Sequence, residues 1–215
     1  MYRYLAMLFI GSVSGFSPEI SRRAFFMTPV VLGGATPSSI VHENGNHIYF
    51  YSPVTQESCF ELNTKLVALE FKSNQFAAQY GVPPPPIHLH IQSEGGSLLH
   101  GLYVTDLIRE MQTPVYTYID GFAASAATLL SIVGHKRFMT PHSMMLIHQL
   151  SSSSSGKYAE LQDEMENFDS IMRLVVELYQ THTKINPDEL DELLRKDIWL
   201  DATRCLEYGL VDKVI

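Results

Sequence analysis

Ser125 stands in Asp120-Gly121-Phe122-Ala123-Ala124-Ser125-Ala126-Ala127, a hydroxyl among residues with almost no side chain, where an apolar run meets a predicted helix. His148 lies 23 residues further on and ends the apolar run Met144-Met145-Leu146-Ile147. A serine hydroxyl becomes a nucleophile only when a neighbouring base takes its proton, and an imidazole at the end of the next strand can do so near neutral pH. A third group must orient that imidazole. Asp197, in Arg195-Lys196-Asp197-Ile198-Trp199-Leu200, is the best candidate, although spacing alone does not select it from the chain's 23 acids. The three residue types together point to serine hydrolase chemistry.

Such chemistry also needs donors for a developing oxyanion. At a helix start the first amides lack intrahelical acceptors, so the N–H of Ala126 can serve. A second donor is expected from Gly95-Gly96, because glycines at the end of a neighbouring strand bring an amide where a side chain would block access. The motif is not G-x-S-x-G, which disfavours an α/β-hydrolase elbow. Taken singly, Ser125 reads as a helix cap and His148 as a structural histidine. Their joint placement with the glycine pair favours the catalytic reading. His88 and His90, in Ile87-His88-Leu89-His90-Ile91, read as strand-face residues rather than a metal pair, since no third ligand is near. Cys59 and Cys205 have no metal spacing and read as small apolar residues. No metal and no cofactor are expected in the chain, and without a G-x-x-x-x-G-K-[ST] loop it does not use ATP by that route.

The elements that must hold these groups alternate along the sequence. His47–Ser52, 87–91, Val115–Ile119 and Met144–Ile147 read as strands; Glu57–Gln79, Leu98–Met111 and Ala126–Val133 read as helices. In the first helix Phe60, Leu62, Leu66, Leu69, Phe71 and Phe76 fall at helical spacing, and Pro83–Pro86 stop it. Alternation of this kind implies βαβ units and a mostly parallel sheet covered on both faces. Ser151–Ser155 and Gly156 form a low-complexity stretch that reads as a flexible loop. From Lys157 to His182 the apolar positions Leu161, Met165, Phe168, Met172, Val175 and Tyr179 follow a heptad rhythm, widened by Ile171, Leu174 and Leu178. A helix of that span is about 39 Å long at 1.5 Å per residue. It either crosses its own domain or projects to meet another subunit. Asn186-Pro187-Asp188-Glu189 opens a short helix with cap, proline and early acid.

At 215 residues, 46% hydrophobic and 18% charged, the chain suits one globular domain with a short extension. A net charge of −8 argues against nucleic acid as a partner. Residues 157–197 hold 11 acids against 5 bases, whereas residues 1–40 hold three arginines, one glutamate and no lysine or aspartate. Residues 1–43 are expected to be a targeting extension and 44–215 the catalytic domain. Arg3, Leu5–Ile10 and Gly11-Ser12-Val13-Ser14-Gly15 have the layout of a minimal secretory signal, and Ser21-Arg22-Arg23-Ala24-Phe25-Phe26 that of a second, twin-arginine signal. The pair, with Phe16 between, resembles the bipartite presequences of algae with complex plastids. An organelle is therefore expected, with plastid foremost and mitochondrion or cytoplasm as alternatives. Neither apolar run in the extension, Leu5–Ile10 or Ala24–Leu32, reaches the roughly 18 residues of a membrane span.

The motifs resemble a family. Gln92-Ser93-Glu94-Gly95-Gly96, Gly121-Phe122-Ala123-Ala124-Ser125-Ala126, Pro141-His142-Ser143 through Ile147-His148-Gln149, Lys196-Asp197-Ile198-Trp199-Leu200-Asp201-Ala202 and Glu207-Tyr208-Gly209-Leu210-Val211-Asp212 are similar, in order, to the ClpP proteases. The resemblance implies an α/β fold of ClpP/crotonase type, with repeated ββα and βαβ units and a long protruding "handle" helix at 157–182. It implies Ser125 as nucleophile, His148 as base, Asp197 as orienter, and the amides of Gly96 and Ala126 as oxyanion hole. Ser151, Ser152, Ser153, Ser154, Ser155 and Gly156 fall where the family binds substrate as an added strand. The implied function is a serine endopeptidase that cuts unfolded proteins inside stacked heptameric rings of self or paralogous subunits, fed by a separate Clp-type AAA+ ATPase that uses the ATP. The chain departs from the family pattern at Glu94, usually proline, in its serine-rich loop, and at Arg195-Lys196. The other classes considered are a serine–lysine signal-peptide-peptidase-like hydrolase, a crotonase-type acyl-CoA enzyme and an inactive ring subunit.

Overall fold

The structure, a computed structural model, describes residues 40–215. The expected signals at Arg3–Gly15 and Ser21–Phe26 lie outside the described residues.

Among the described residues eight strands share one sheet. β1 (Ile40–Asn44) and β2 (His47–Tyr51) form an antiparallel hairpin around Gly45, whose φ of 61° suits a residue without Cβ. β1 was not expected from the sequence; only Val41 of its five residues is buried, so it carries little apolar pattern. β2 then pairs in parallel with β3 (Ile87–Ser93), and β3 with β4 (Val115–Ala124). Between them run α1 (Gln56–Tyr80) and α2 (Leu98–Glu110), the crossovers that parallel pairing requires. α1 starts on a Thr55–Ser58 capping box and ends at Gly81 in the left-handed region. Its core stripe is Cys59, Leu62, Leu66 and Leu69, whereas Phe60 and Phe71, expected on that stripe, are 74% and 70% exposed.

Strand alternation sets the two faces of the sheet. Ile48, Phe50, Ile87, Leu89, Ile91, Val115, Thr117 and Ile119 point into the core. The intervening residues, His47, Tyr49, Tyr51, His88, His90, Tyr116, Tyr118 and Asp120, make the opposite face, half-buried under their own stacking. Each of these residues is only half-buried, so among the described residues the two-sided covering expected from the sequence is complete on the core side alone.

β4 sets the position of the Ser125 turn. Its first half, Tyr116–Ile119, pairs with β5 (Lys136–Met139), and its last residues, Phe122–Ala124, pair with β6 (Met144–Leu146). The change of partner falls at Gly121, φ 92°, whose N–H donates to Ser143 Oγ at 2.9 Å while that hydroxyl donates to the Ile119 carbonyl. β4 feeds α3 (Ala126–Ile132) through Ser125 alone. α4 (Tyr158–His182) follows the exposed loop 151–156, and α5 (Pro187–Leu194) follows the Asn186 cap. β7 (Trp199–Leu200) is only two residues long, pairs antiparallel with β6, and precedes α6 (Ala202–Glu207) and β8 (Lys213–Val214).

Candidate active site

Ser125 is the only described residue other than glycine with a positive φ, at φ 55° and ψ −131°. An L-residue there costs on the order of 1–3 kcal/mol and persists only where its surroundings fix it. The Ser125 N–H donates to the Leu146 carbonyl at 2.9 Å, which anchors the turn to β6. Its carbonyl accepts from the Thr128 N–H at 3.0 Å and the Thr128 hydroxyl at 2.6 Å. Gly95, φ 91°, packs so closely that a Cβ there would lie 2.6 Å from both Ser125 Cβ and the Ala124 carbonyl oxygen. The turn is held from three sides, with the side chain left at a cavity.

His148 reaches that cavity because β6 pairs beside Ala124, two residues before the strand gives way to the histidine. Asp197 reaches His148 because β7 pairs back on β6, Leu146 against Trp199, and because the Gln149 N–H donates to the Leu194 carbonyl. His148 Nδ1 then lies 3.5 Å from Asp197 Oδ1, within ion-pair range but long for a hydrogen bond. The carboxylate is 65% exposed, so solvent screens the pair. With Nδ1 turned to the acid, Nε2 is the nitrogen available to a serine. No hydrogen bond joins Ser125 to His148 among the described contacts, a looseness common in sites without substrate.

The expected oxyanion donors also line the cavity. Ala126 is first in α3, where its amide has no intrahelical acceptor. Gly96, φ 143°, bridges Val54. That bridge uses both polar groups of Val54, its N–H on the Gly95 carbonyl and its carbonyl on the Ser97 N–H, both at 2.7 Å. The Gly96 amide consequently faces the other way. A Cβ at Gly96 would stand 2.4 Å from the Val54 oxygen, so only glycine allows the approach.

The cavity measures about 430 Å³ including its open mouth. Leu98, Leu129, Val175 and Tyr179 supply its apolar wall. Of the predicted substrate loop only Ser151 reaches it; Ser152–Gly156 stay exposed. Leu129 and Tyr179 were legible only as core positions, since nothing in their spacing marks a wall shared by α3 and α4. No lysine lines the cavity among the described residues. Nor does any group of three or more His, Cys, Asp or Glu among them suit a metal ion.

The Clp protease family matches residues 39–215. The ATP-dependent Clp protease proteolytic subunit 1 of Chlamydia muridarum is 30% identical over 176 residues, which is 80% of this chain and 87% of that protein. The protein of the same name from Protochlamydia amoebophila is 31% identical, covering 80% of this chain and 81% of its own. Among solved structures, a ClpP1 mutant from Listeria monocytogenes superposes with a TM-score of 0.69 at 23% identity, over 80% of this chain and 91% of that one.

Proposed function

The chain belongs to the Clp protease family, and from that premise we propose that it is the proteolytic subunit of a Clp-type protease, a serine endopeptidase with Ser125 as nucleophile. The observation that carries the assignment is the strained Ser125 turn opening on the same cavity as an imidazole whose Nδ1 is paired with Asp197. In this reading His148 takes the Ser125 proton as the hydroxyl attacks a peptide carbonyl. Asp197 holds the tautomer and stabilises the imidazolium. The amides of Gly96 and Ala126 receive the oxyanion, and His148 returns the proton to the leaving amine. A serine–lysine dyad lacks its base among the cavity's residues, and a crotonase-type enzyme has no use for a strained serine.

The decisive test is covalent labelling with a fluorophosphonate, mapped by mass spectrometry. Modification of Ser125, abolished in Ser125→Ala, is the expected result; labelling elsewhere or none overturns the assignment.

The family and α4 support assembly into a larger complex. In the N-terminal half of that helix no residue is fully buried, and Tyr158 and Met165 are 76% and 41% exposed, although Met165 belongs to the apolar seam. Such a seam suits a second subunit, and stacked seven-membered rings served by a separate AAA+ ATPase are the arrangement proposed, with Ser151–Gly156 beside the bound substrate strand. Light scattering that finds only a 24.2 kDa protomer at micromolar concentrations overturns it. For the extension, organelle delivery, plastid foremost, is proposed; a fluorescent fusion of residues 1–43 that stays diffuse in an algal host overturns that.

A further inference from the structure

The strained turn at Ser125 has a support that neither strand pairing nor helix capping supplies. Thr128 Oγ1 lies 2.6 Å from the Ser125 carbonyl oxygen and 2.5 Å from the phenolic oxygen of Tyr179, 51 residues away on α4. A threonine hydroxyl has one proton. Since the carbonyl can only accept, that proton goes to Ser125, and the Tyr179 hydroxyl must donate to Thr128. Tyr179 is 2% exposed, and burial pushes its pKa well up, so the phenol keeps the proton that this direction requires. A helical threonine commonly bonds a carbonyl three or four residues back. The buried tyrosine that fixes the hydroxyl's direction from a second helix is the uncommon part.

We propose that Tyr179 and Thr128 are positioning residues for the nucleophile: a directed hydrogen-bond relay, Tyr179 O–H to Thr128 O–H to Ser125 C=O, that holds Ser125 in its strained conformation. The proposal deepens the functional reading and rests on Ser125 being the nucleophile. Turning the Ser125 peptide would move the hydroxyl and the Ala126 amide together, because they flank the same carbonyl. The relay therefore acts on attack and on oxyanion binding at once, while leaving the apolar wall that Tyr179 gives the cavity to its ring.

Wild type, Thr128→Val, Thr128→Ser and Tyr179→Phe, all as full chains, separate positioning from mere packing. On a short fluorogenic peptide Thr128→Val should lose about ten- to hundredfold in kcat with KM within about twofold, since small misplacements of a reacting atom act on the chemical step. Tyr179→Phe keeps the ring and should lose about three- to tenfold. Thr128→Ser retains the hydroxyl and should stay within about twofold of wild type. Amide hydrogen exchange across Ala124–Thr128 gives a readout that needs no turnover: it should quicken in Thr128→Val and Tyr179→Phe but not in Thr128→Ser. Unchanged kcat and exchange in Thr128→Val overturn the relay, as does a Thr128→Ser protein as impaired as the valine variant. A wild type that neither cleaves peptide nor takes the fluorophosphonate overturns the functional reading instead, and the exchange comparison then decides the relay alone.

Discussion

Among the described residues two histidine–aspartate pairs form, one on the strands of the sheet and one just beyond β6 and β7, and the better bonded of the two is the one without a serine. His90 Nδ1 meets Asp120 Oδ2 at 2.8 Å, with Tyr51 donating to the same oxygen at 2.6 Å. His148 and Asp197 are 3.5 Å apart with the acid largely in solvent. What lies on the far side of each ring separates them. His90 Nε2 contacts His47 Nδ1 at 3.0 Å, and the cluster continues into stacked Tyr49 and Tyr118. His148 instead borders a cavity with a strained serine and two outward amides. A tight acid–imidazole pair is a common way to satisfy a half-buried histidine on a strand face; a catalytic one is recognised by the nucleophile it serves.

The largest expected effect comes from removing the proposed nucleophile. Ser125→Ala should abolish peptide cleavage, leaving at most the residual rate that binding and the oxyanion hole provide, with the oligomeric state unchanged by light scattering. Activity within about tenfold of wild type would place the chemistry elsewhere. The matched pair Asp197→Asn and Asp120→Asn tests the comparison directly. The first should cost about 10³–10⁴ in turnover by the logic of triads. The second should leave turnover within about twofold, because no reacting atom touches that ring. Equal losses in both variants, measured on one peptide, would break the distinction. Smaller is the effect of Gly96→Ala. Its Cβ would press on the Val54 oxygen, so the backbone must shift the oxyanion amide. About a ten- to hundredfold fall in kcat is expected, smaller for the labelling rate than for turnover if the amide alone moves.

The same contrast explains how much was legible in the sequence. Strand cores such as Ile87–Ile91 alternate cleanly, and α4 carries a heptad stripe, so these elements and the Ser125 turn could be placed from pattern and punctuation. β7 could not: two residues carry no period, yet their pairing with β6 is what brings Asp197 to His148. Asp197 could be nominated as orienter but not selected from the other acids by spacing, since an exposed acid before Ile198-Trp199-Leu200 has no physical mark of its own; the family resemblance singled it out. Phe60 and Phe71 misled because hydrophobic residues at helical spacing were assigned to one stripe, whereas α1 carries a second, exposed one. The relay through Thr128 and Tyr179 joins residues 51 apart on different helices, and tertiary packing alone creates it.

The smallest expected effect is a pH dependence of stability that belongs to the open sheet face. Burial, with the charge of His90 added, holds His47 below the usual imidazole value of 6.5. Burial first, then the charges of His47 and His90, does the same for His88. Burial opposes ionisation of Asp120, but hydrogen bonds from His90 and Tyr51 and the charge of His90 prevail and hold its carboxyl below the ordinary range. For each of these groups the unfolded chain binds protons more readily, so stability rises with pH across the interval between the folded and unfolded values. Acidification should therefore destabilise the fold in two stages. The imidazoles act first, as pH falls through about 6.5, and Asp120 acts later, as pH falls through its depressed value. The measurement is the urea midpoint at pH 7.5 and 5.5 for wild type and for the double variant His47→Gln/His88→Gln. The drop between the two pH values should shrink in the variant without vanishing, because His182, lowered by burial and by the charges of Arg109 and Arg137, remains in both. Peptide turnover at pH 7.5 should stay within about twofold in both proteins. A variant with an undiminished drop would show that the face does not carry this dependence, and a variant with lost turnover would join the two histidine–aspartate pairs functionally rather than part them.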